Sequence, residues 1–208
     1  MKRSRTSLFL FLISALTVLV AGCDSSSAPT VKPAPPAATL ETGRFALQKI
    51  LGPARLWASD SLPIRLESQT MKGNNGHDGK SGFWRAVFAS PAGLKSQPFS
   101  WSGLIGPDAP ARGVDHGASD AFNPNNRSTQ PFDLNFLKVD SDKAFEVAQE
   151  HGGKELLEKA PTTEIKYLLD WDARGSELKW HVIYGGNEGI SKLSVLVDAS
   201  TGAFVRKE

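Results

Sequence analysis

Residues 178–205, LKWHVIYGGNEGISKLSVLVDASTGAFV, hold the strongest constraint on what this chain can fold into. Leu178, Trp180, Val182 and Tyr184 alternate with Lys179, His181 and Ile183, and Leu193, Val195 and Val197 share a second parity. Ala199-Ser200-Thr201-Gly202 then turns the chain before Ala203-Phe204-Val205. Period-two alternation between turn-forming residues specifies half-buried antiparallel strands. Residues 164–172 supply the next strand through the turn Ala173-Arg174-Gly175-Ser176. Pairing through that turn sets Trp171 opposite Leu178, Leu169 opposite Trp180, Tyr167 opposite Val182 and Ile165 opposite Tyr184, all on one face. The same register sets Asp170 opposite Lys179 on the wet side. A sheet with one dry face needs a cover, and a helix over residues 142–151, capped by Asp140 or Ser141 and ended by Gly152-Gly153, provides it. Residues 154–159 add another helical stretch before Pro161.

Within this segment Trp180-x-Val182 and Val197-Asp198-Ala199-x-Thr201-Gly202-x-Phe204-Val205 resemble the PepSY family, small domains in which a helix packs on an antiparallel sheet. The resemblance spans residues 142–208. The residues carry their own physical sense: Gly202 suits the positive φ of a tight turn, and Asp198 and Thr201 are able to bond the turn's backbone. PepSY modules occur in propeptides of thermolysin-type metallopeptidases and in cell-envelope proteins. The resemblance therefore implies a regulatory or protease-modulating role, exerted in trans because no peptidase domain follows.

The chain begins with an address. Lys2, Arg3 and Arg5 precede an apolar run over residues 8–20 that is too short for the roughly 18–20 residues of a membrane span. Leu19-Val20-Ala21-Gly22-Cys23 resembles a bacterial lipobox, in which the signal is cut before the cysteine, the thiol takes a diacylglyceryl group and the new amino terminus is acylated. Cys23 is the single cysteine, so no intramolecular disulfide competes for it. By the same resemblance, Asp24 favours retention at the inner membrane. Residues 24–38 are rich in Ser, Pro and Ala and read as an extended tether. Removing residues 1–22 takes three of the 24 basic residues and no acidic one, leaving 21 against 22. A near-neutral mature chain without a basic face gives no reason to expect nucleic acid.

Residues 41–139 repeat the order of the C-terminal part. A short helix over 43–51 is expected to break at Gly52-Pro53, with a further turn over 54–58. Strands follow at 62–68, where Pro63 marks an edge or a start, at 83–89, with Trp84, Ala86 and Phe88 on one parity, and around Phe99 and Trp101. Trp84 corresponds to Trp180, Phe88 to Tyr184, Phe99 to Leu196 and Gly52 to Gly152, which points to a degenerate tandem repeat. Residues 104–129 read as a long irregular connection, and Phe132, Leu134 and Phe136 alternate as in a strand over 131–139.

Reactive constellations are sparse. Asp170 and Asp172 sit two residues apart on one strand face, but beside a hairpin turn, as solvated charges do. His77, His116, His151 and His181 lack any ligand spacing. Asn74, His77, Asp78, Asp115, His116 and Asp120 would meet at a metal only if two loops converged, and residues 74–79 lack a calcium loop's alternating oxygens. Ser176-x-x-Lys179 has no Lys-Thr-Gly partner. Trp57 and Trp101 fit packing better than a ligand platform.

These readings give an α+β chain with two small helix-on-antiparallel-sheet units, the second PepSY-like. Residues 1–22 are the signal, 23–40 the acylated Cys23 and tether, 41–139 the N-terminal unit and 140–208 the PepSY-like unit. The expected protein is a cell-envelope lipoprotein held on the membrane at Cys23, facing the periplasm or outer surface. It is expected to be a non-enzymatic binding or regulatory module needing no metal or cofactor, with an envelope protein or peptidase as partner. The alternative is a small-ligand carrier or sensor with a pocket between the units. A cleft of convergent polar groups would favour the carrier, and an open sheet edge or aromatic patch a protein partner.

Overall fold

The computed structural model describes residues 37–71, 74–186 and 191–208. The signal segment, Cys23 and most of the tether lie outside the described residues. In chain order the elements are β1 (Glu41–Thr42), α1 (Gly43–Trp57), β2 (Leu62–Ser68), β3 (Lys80–Ser81), β4 (Phe83–Ser90), β5 (Lys95–Ser102), β6 (Gly113–His116) and β7 (Asp120–Ala121). They continue with α2 (Ser141–Ala148), α3 (Lys154–Lys159), β8 (Ile165–Asp172), β9 (Glu177–Tyr184), β10 (Leu193–Asp198) and β11 (Phe204–Lys207). The result is α+β: helices on one face of a large antiparallel sheet.

The main sheet runs β11-β10-β9-β8-β2-β4-β5-β6, with β7 also on β5. This order reads the same from both ends: each half contributes its strands in sequence outward from the middle, where β2 and β8 pair antiparallel. The anticipated β8–β9 register is present, with Ile165, Tyr167, Leu169 and Trp171 opposite Tyr184, Val182, Trp180 and Leu178. The two halves are helix-on-sheet units, yet they do not keep separate cores. One buried cluster holds Ala46, Ile50, Leu66, Trp84 and Phe88 together with Tyr167, Leu169, Trp180, Val182 and Val195.

Two tryptophans sit at the centre of that cluster. Trp84 and Trp180 are both fully buried and meet edge to face with ring centroids 6.4 Å apart. Trp84 Nε1 donates to the Glu41 carbonyl at 2.9 Å, and Trp180 Nε1 to the Val139 carbonyl at 2.9 Å. Each acceptor lies just before the cap of its own half's helix, since Thr42 precedes α1 and Asp140 precedes α2. An indole N–H buried in a core must find an acceptor, and both halves solve this in the same way.

The helix starts are interlocked. Thr42 makes no side-chain cap for α1. Instead Gly43 N donates to Ser141 Oγ at 2.9 Å and Arg44 N to Asp140 Oδ1 at 2.9 Å, while Asp140 also caps α2 through Ser141 N at 2.7 Å. One carboxylate thus satisfies orphan donors of two helices. Gly43 permits this closeness: a Cβ there would lie 2.5 Å from the Trp180 ring.

Several local expectations are corrected. α1 runs unbroken through Gly52-Pro53 to Trp57. A proline ring clashes with the Cβ of the preceding residue in a helix, and Gly52 has none. Gly52 and Gly152 are therefore not equivalents, because Gly152, at φ 104°, does interrupt the helical path after α2. Residues 131–139 are not a strand. Asp133 caps a 3-10 turn at Leu134–Phe136, which buries Phe132 and leaves Phe136 exposed. The partner of Phe99 is Val195 rather than Leu196: Phe99 is opposite Ala86 and Val195 opposite Val182, two residues beyond each tryptophan. Pro63 is the second residue of β2, a central strand, with a register shift beside it and its carbonyl accepting from Phe132 N at 2.9 Å. Finally, the sheet's second face is not uniformly wet, because Ile64, Ala89 and Phe122 form a small second cluster on it.

Candidate functional site

The parity that buries Trp180 and Val182 sends Lys179 and His181 to the opposite face, beside Asp170 and Asp172 of β8 and Leu196 of β10. These side chains floor an open cleft of about 1060 Å³, rimmed by Arg127 and Ser128 from the long connection, Arg174 from the hairpin and Arg206 from β11. Among the described residues this is the place where polar groups converge.

The register expects Lys179 on a wet face, but Lys179 is 3% and His181 8% exposed. They lie on an inner strand, between β8 and β10, so neighbouring side chains cover them from both sides. A buried ammonium needs carboxylates, and Lys179 Nζ has Asp172 Oδ2 at 2.7 Å and Glu177 Oε2 at 3.2 Å. His181 Nε2 donates to Asp170 Oδ1 at 3.1 Å. Both contacts are diagonal in the ladder. Lys179 is opposite Asp170 but reaches Asp172, and His181 is opposite Leu168 but reaches Asp170. Sheet twist brings one diagonal within range of long side chains.

The lysine ammonium, together with the Arg174 amide, holds the Asp172 carboxyl down at about 2. For Lys179 burial acts downward, yet the hydrogen bonds it donates to Asp172 and Glu177 outweigh it and the pKa is raised. Asp172 is further tied to the hairpin, accepting from Arg174 N at 2.8 Å. Arg206 is engaged by Glu208, with Nε 2.9 Å from Oε1. Two buried polar atoms here have no partner among the described residues. His181 Nδ1 is buried with no hydrogen bond among the described residues, and so is Ser194 Oγ on the adjoining strand.

A second cavity of about 370 Å³ adjoins the first and shares Ser128 and Asp170 with it. The segment 121–129 roofs this cavity, and Ile64, Val87, Ala121 and Phe122 give it an apolar wall. Phe122 N donates to the Leu94 carbonyl at 2.9 Å, and Asn126 caps the 3-10 turn Arg127–Thr129. These bonds hold the segment across the sheet at the β2–β8 junction.

The remaining sequence candidates have ordinary places. Asp170 and Asp172 line a cleft rather than merely flanking a turn, and each already has a basic partner. His77 Nε2 donates to the Thr163 carbonyl at 2.7 Å, whereas Asp115 and His116 lie on β6 at the far edge of the sheet. No group of three His, Cys, Asp or Glu placed for a metal occurs among the described residues. Ser176 holds the hairpin at φ 53°, and Lys179 is bonded to carboxylates. Trp101 packs edge to face on Phe45 at 5.6 Å and Trp57 on Phe99 at 6.1 Å. Cys23 lies outside the described residues. Arg127 and Arg206 gave no signal in the sequence, since neither belongs to a motif, and only the path of the chain brings them together.

The turn quoted for the PepSY resemblance does what its residues suggest. Asp198 Oδ1 accepts from Ser200 N at 2.7 Å and Thr201 N at 2.8 Å, and Gly202 sits at φ 79°. The Ala199 carbonyl takes Lys138 N at 2.9 Å and Val139 N at 2.8 Å, docking the lead-in to α2. Compared with known proteins, the chain matches no family model, and no curated protein matches it. A solved structure does resemble it: a protein described as a candidate lipoprotein from Clostridium difficile 630, 12% identical, covering 78% of this chain and 91% of that one with a TM-score of 0.51. At that identity the likeness is one of fold.

Proposed function

We propose that this chain is a lipid-anchored cell-envelope protein that binds a ligand in the cleft on the outer sheet face and catalyses no reaction. The cleft carries the reading. It gathers polar groups from β8, β9, β11 and the 127–128 segment, and its floor holds a buried imidazole nitrogen without a partner. A buried polar atom of this kind is costly unless it finds a hydrogen-bond partner. The carrier alternative gains from this, although in a changed place. The helix side of the junction is filled by Trp84, Trp180 and Leu66, so binding falls to the other face.

The envelope setting is supported by the Leu19-Val20-Ala21-Gly22-Cys23 segment and by the lipoprotein description of the C. difficile structure. No helix among the described residues is long and apolar enough to cross a membrane. The anchor is tested by Cys23→Ser with palmitate labelling and fractionation. Label in the wild type and its loss with release from the membrane are expected; a processed, membrane-held Cys23→Ser protein would refute the anchor.

Binding is tested by native mass spectrometry of protein released gently from envelopes, followed by amide-shift mapping of the retained compound. Shifts at Asp170, His181 and Arg206 are expected. Shifts confined to α1 and α2 would reject the cleft. A second reading, modulation of a peptidase, is favoured by the PepSY-like residues of the Asp198–Gly202 turn, whose Asp198 carboxylate accepts from Ser200 N and Thr201 N. Inhibition of a thermolysin-type peptidase by the purified protein would turn the choice that way.

A further inference from the structure

We infer that the ligand of this cleft is an anionic amphiphile, its carboxylate or phosphate head at the arginine rim and its apolar part under the 121–129 segment. The inference rests on the cleft being the binding site and adds the class of molecule that fits it.

The sign of the head follows from which charges are already engaged. Lys179 is paired with Asp172 and Glu177, Arg206 with Glu208, and Asp170 accepts from His181. Asp172 has both oxygens in use, one on Lys179 and the other on the hairpin amides of Arg174 and Gly175. Arg127 and Arg174, from two different segments of the cleft lining, form no ion pair among the described residues. A guanidinium offers a planar fork of donors matched to carboxylate and phosphate oxygens. The unspent recognition capacity is therefore cationic.

The apolar part follows from the adjoining cavity. Ser128 and Asp170 line both spaces, so the two adjoin. Beyond these two residues the lining changes from charged side chains to Ile64, Val87, Ala121 and Phe122, and Ile64 and Phe122 belong to the small second cluster. A volume of about 370 Å³ lies at the lower end of small-molecule sites. A simple inorganic anion would leave this space unused. An apolar molecule without a head would leave Arg127 and Arg174 without partners.

The test uses the full chain carrying Cys23→Ser, so that no acyl group of its own competes. Methyl phosphate, octyl phosphate, octanoate, octyltrimethylammonium and octyl glucoside are titrated below their micelle concentrations, with binding read by calorimetry and amide shifts. Octyl phosphate and octanoate are expected to bind saturably, with octyl phosphate about 100-fold tighter than methyl phosphate from burial of a few methylenes. Shifts are expected at Phe122, Ser128 and His181. Arg127→Gln with Arg174→Gln is expected to weaken octyl phosphate at least tenfold. Ala121→Trp, which fills the cavity from an exposed position, is expected to abolish the chain-length gain and leave methyl phosphate unchanged; Thr129→Trp serves if that variant does not fold. Equal binding of octyltrimethylammonium or octyl glucoside would overturn the anionic head. Equal binding of methyl and octyl phosphate would overturn the apolar part. In both cases shifts on the β8–β11 face would leave the cleft itself standing, whereas shifts elsewhere for every probe would remove the cleft reading too.

Discussion

Asp172 shows how one side chain joins stability to the site. Its carboxyl is held at about 2 against an ordinary 3.8, chiefly by the Lys179 ammonium. A depressed carboxylate pKa stabilises the fold above the unfolded value, and the contribution fades as pH falls from there through about 2. Asp172 is 24% exposed in its side chain, so solvent screening limits the effect to about 1–2 kcal/mol. Asp172→Asn is therefore expected to lower stability at pH 7 while unfolding with a shallower acid dependence below pH 4. Urea midpoints from pH 2 to 7 measure both. Parallel pH curves for the two proteins would show that Lys179 is stabilised by other groups. Trp84→Ala is a second case at this scale. Its indole touches Trp180 and Tyr167 and bonds to Glu41, so a loss of about 3–5 kcal/mol is expected, reaching both halves at once.

Among the elements, the crossed helix caps give the sharpest expectation. Ser141 Oγ accepts from Gly43 N at 2.9 Å and donates to the Gly79 carbonyl at 2.6 Å, both in buried surroundings. Ser141→Ala strands a donor and an acceptor, and a loss of about 2–3 kcal/mol is expected, with faster amide exchange at the start of α1 as well as α2. Exchange altered in α2 alone would mean that α1 is capped without it. This linkage left no mark in the sequence, because Gly43 and Ser141 lie 98 residues apart. The β8–β9 register was legible, because a one-residue slip would turn the apolar side chains to the other face and the short turn fixes the rest locally. The alternation of Phe132, Leu134 and Phe136 was equally regular, yet Asp133 turns the backbone there and the period carries no strand. Pro53 misled for the opposite reason: the rule against proline in helices is eased by the glycine before it. The cleft was the least legible part. Its floor depends on diagonal contacts, and its rim on a long connection crossing the sheet, neither of which leaves a periodic trace.

The whole molecule is organised about the β2–β8 seam, and this decides whether either half stands alone. Read from the sequence alone, residues 140–208 contain a helix, strands and a one-sided apolar register, which are the parts of a unit that folds unaided. The structure ties that half to the other along its first strand. Leu66 and Leu169 are ladder partners, Tyr167 N donates to Ser68 Oγ at 2.9 Å, and Ile165 N donates to the Asn75 carbonyl at 2.9 Å. Tyr167 OH donates to the Gly76 carbonyl and accepts from Gly79 N at 3.2 Å. Cutting the chain near Val139 would expose the full edge of β8 and one side of Trp180, in a piece of about 70 residues, near the lower limit for a self-sufficient core. We therefore expect a fragment spanning 139–208 to be molten or aggregated, with collapsed amide dispersion and no cooperative thermal transition. Residues 37–208 should unfold in a single step, with coincident fluorescence and circular dichroism curves. Adding residues 37–138 in trans should restore dispersion if the seam is the missing partner. A fragment that melts cooperatively alone would show that the seam joins two finished domains, and the shared core would then be a contact surface between them.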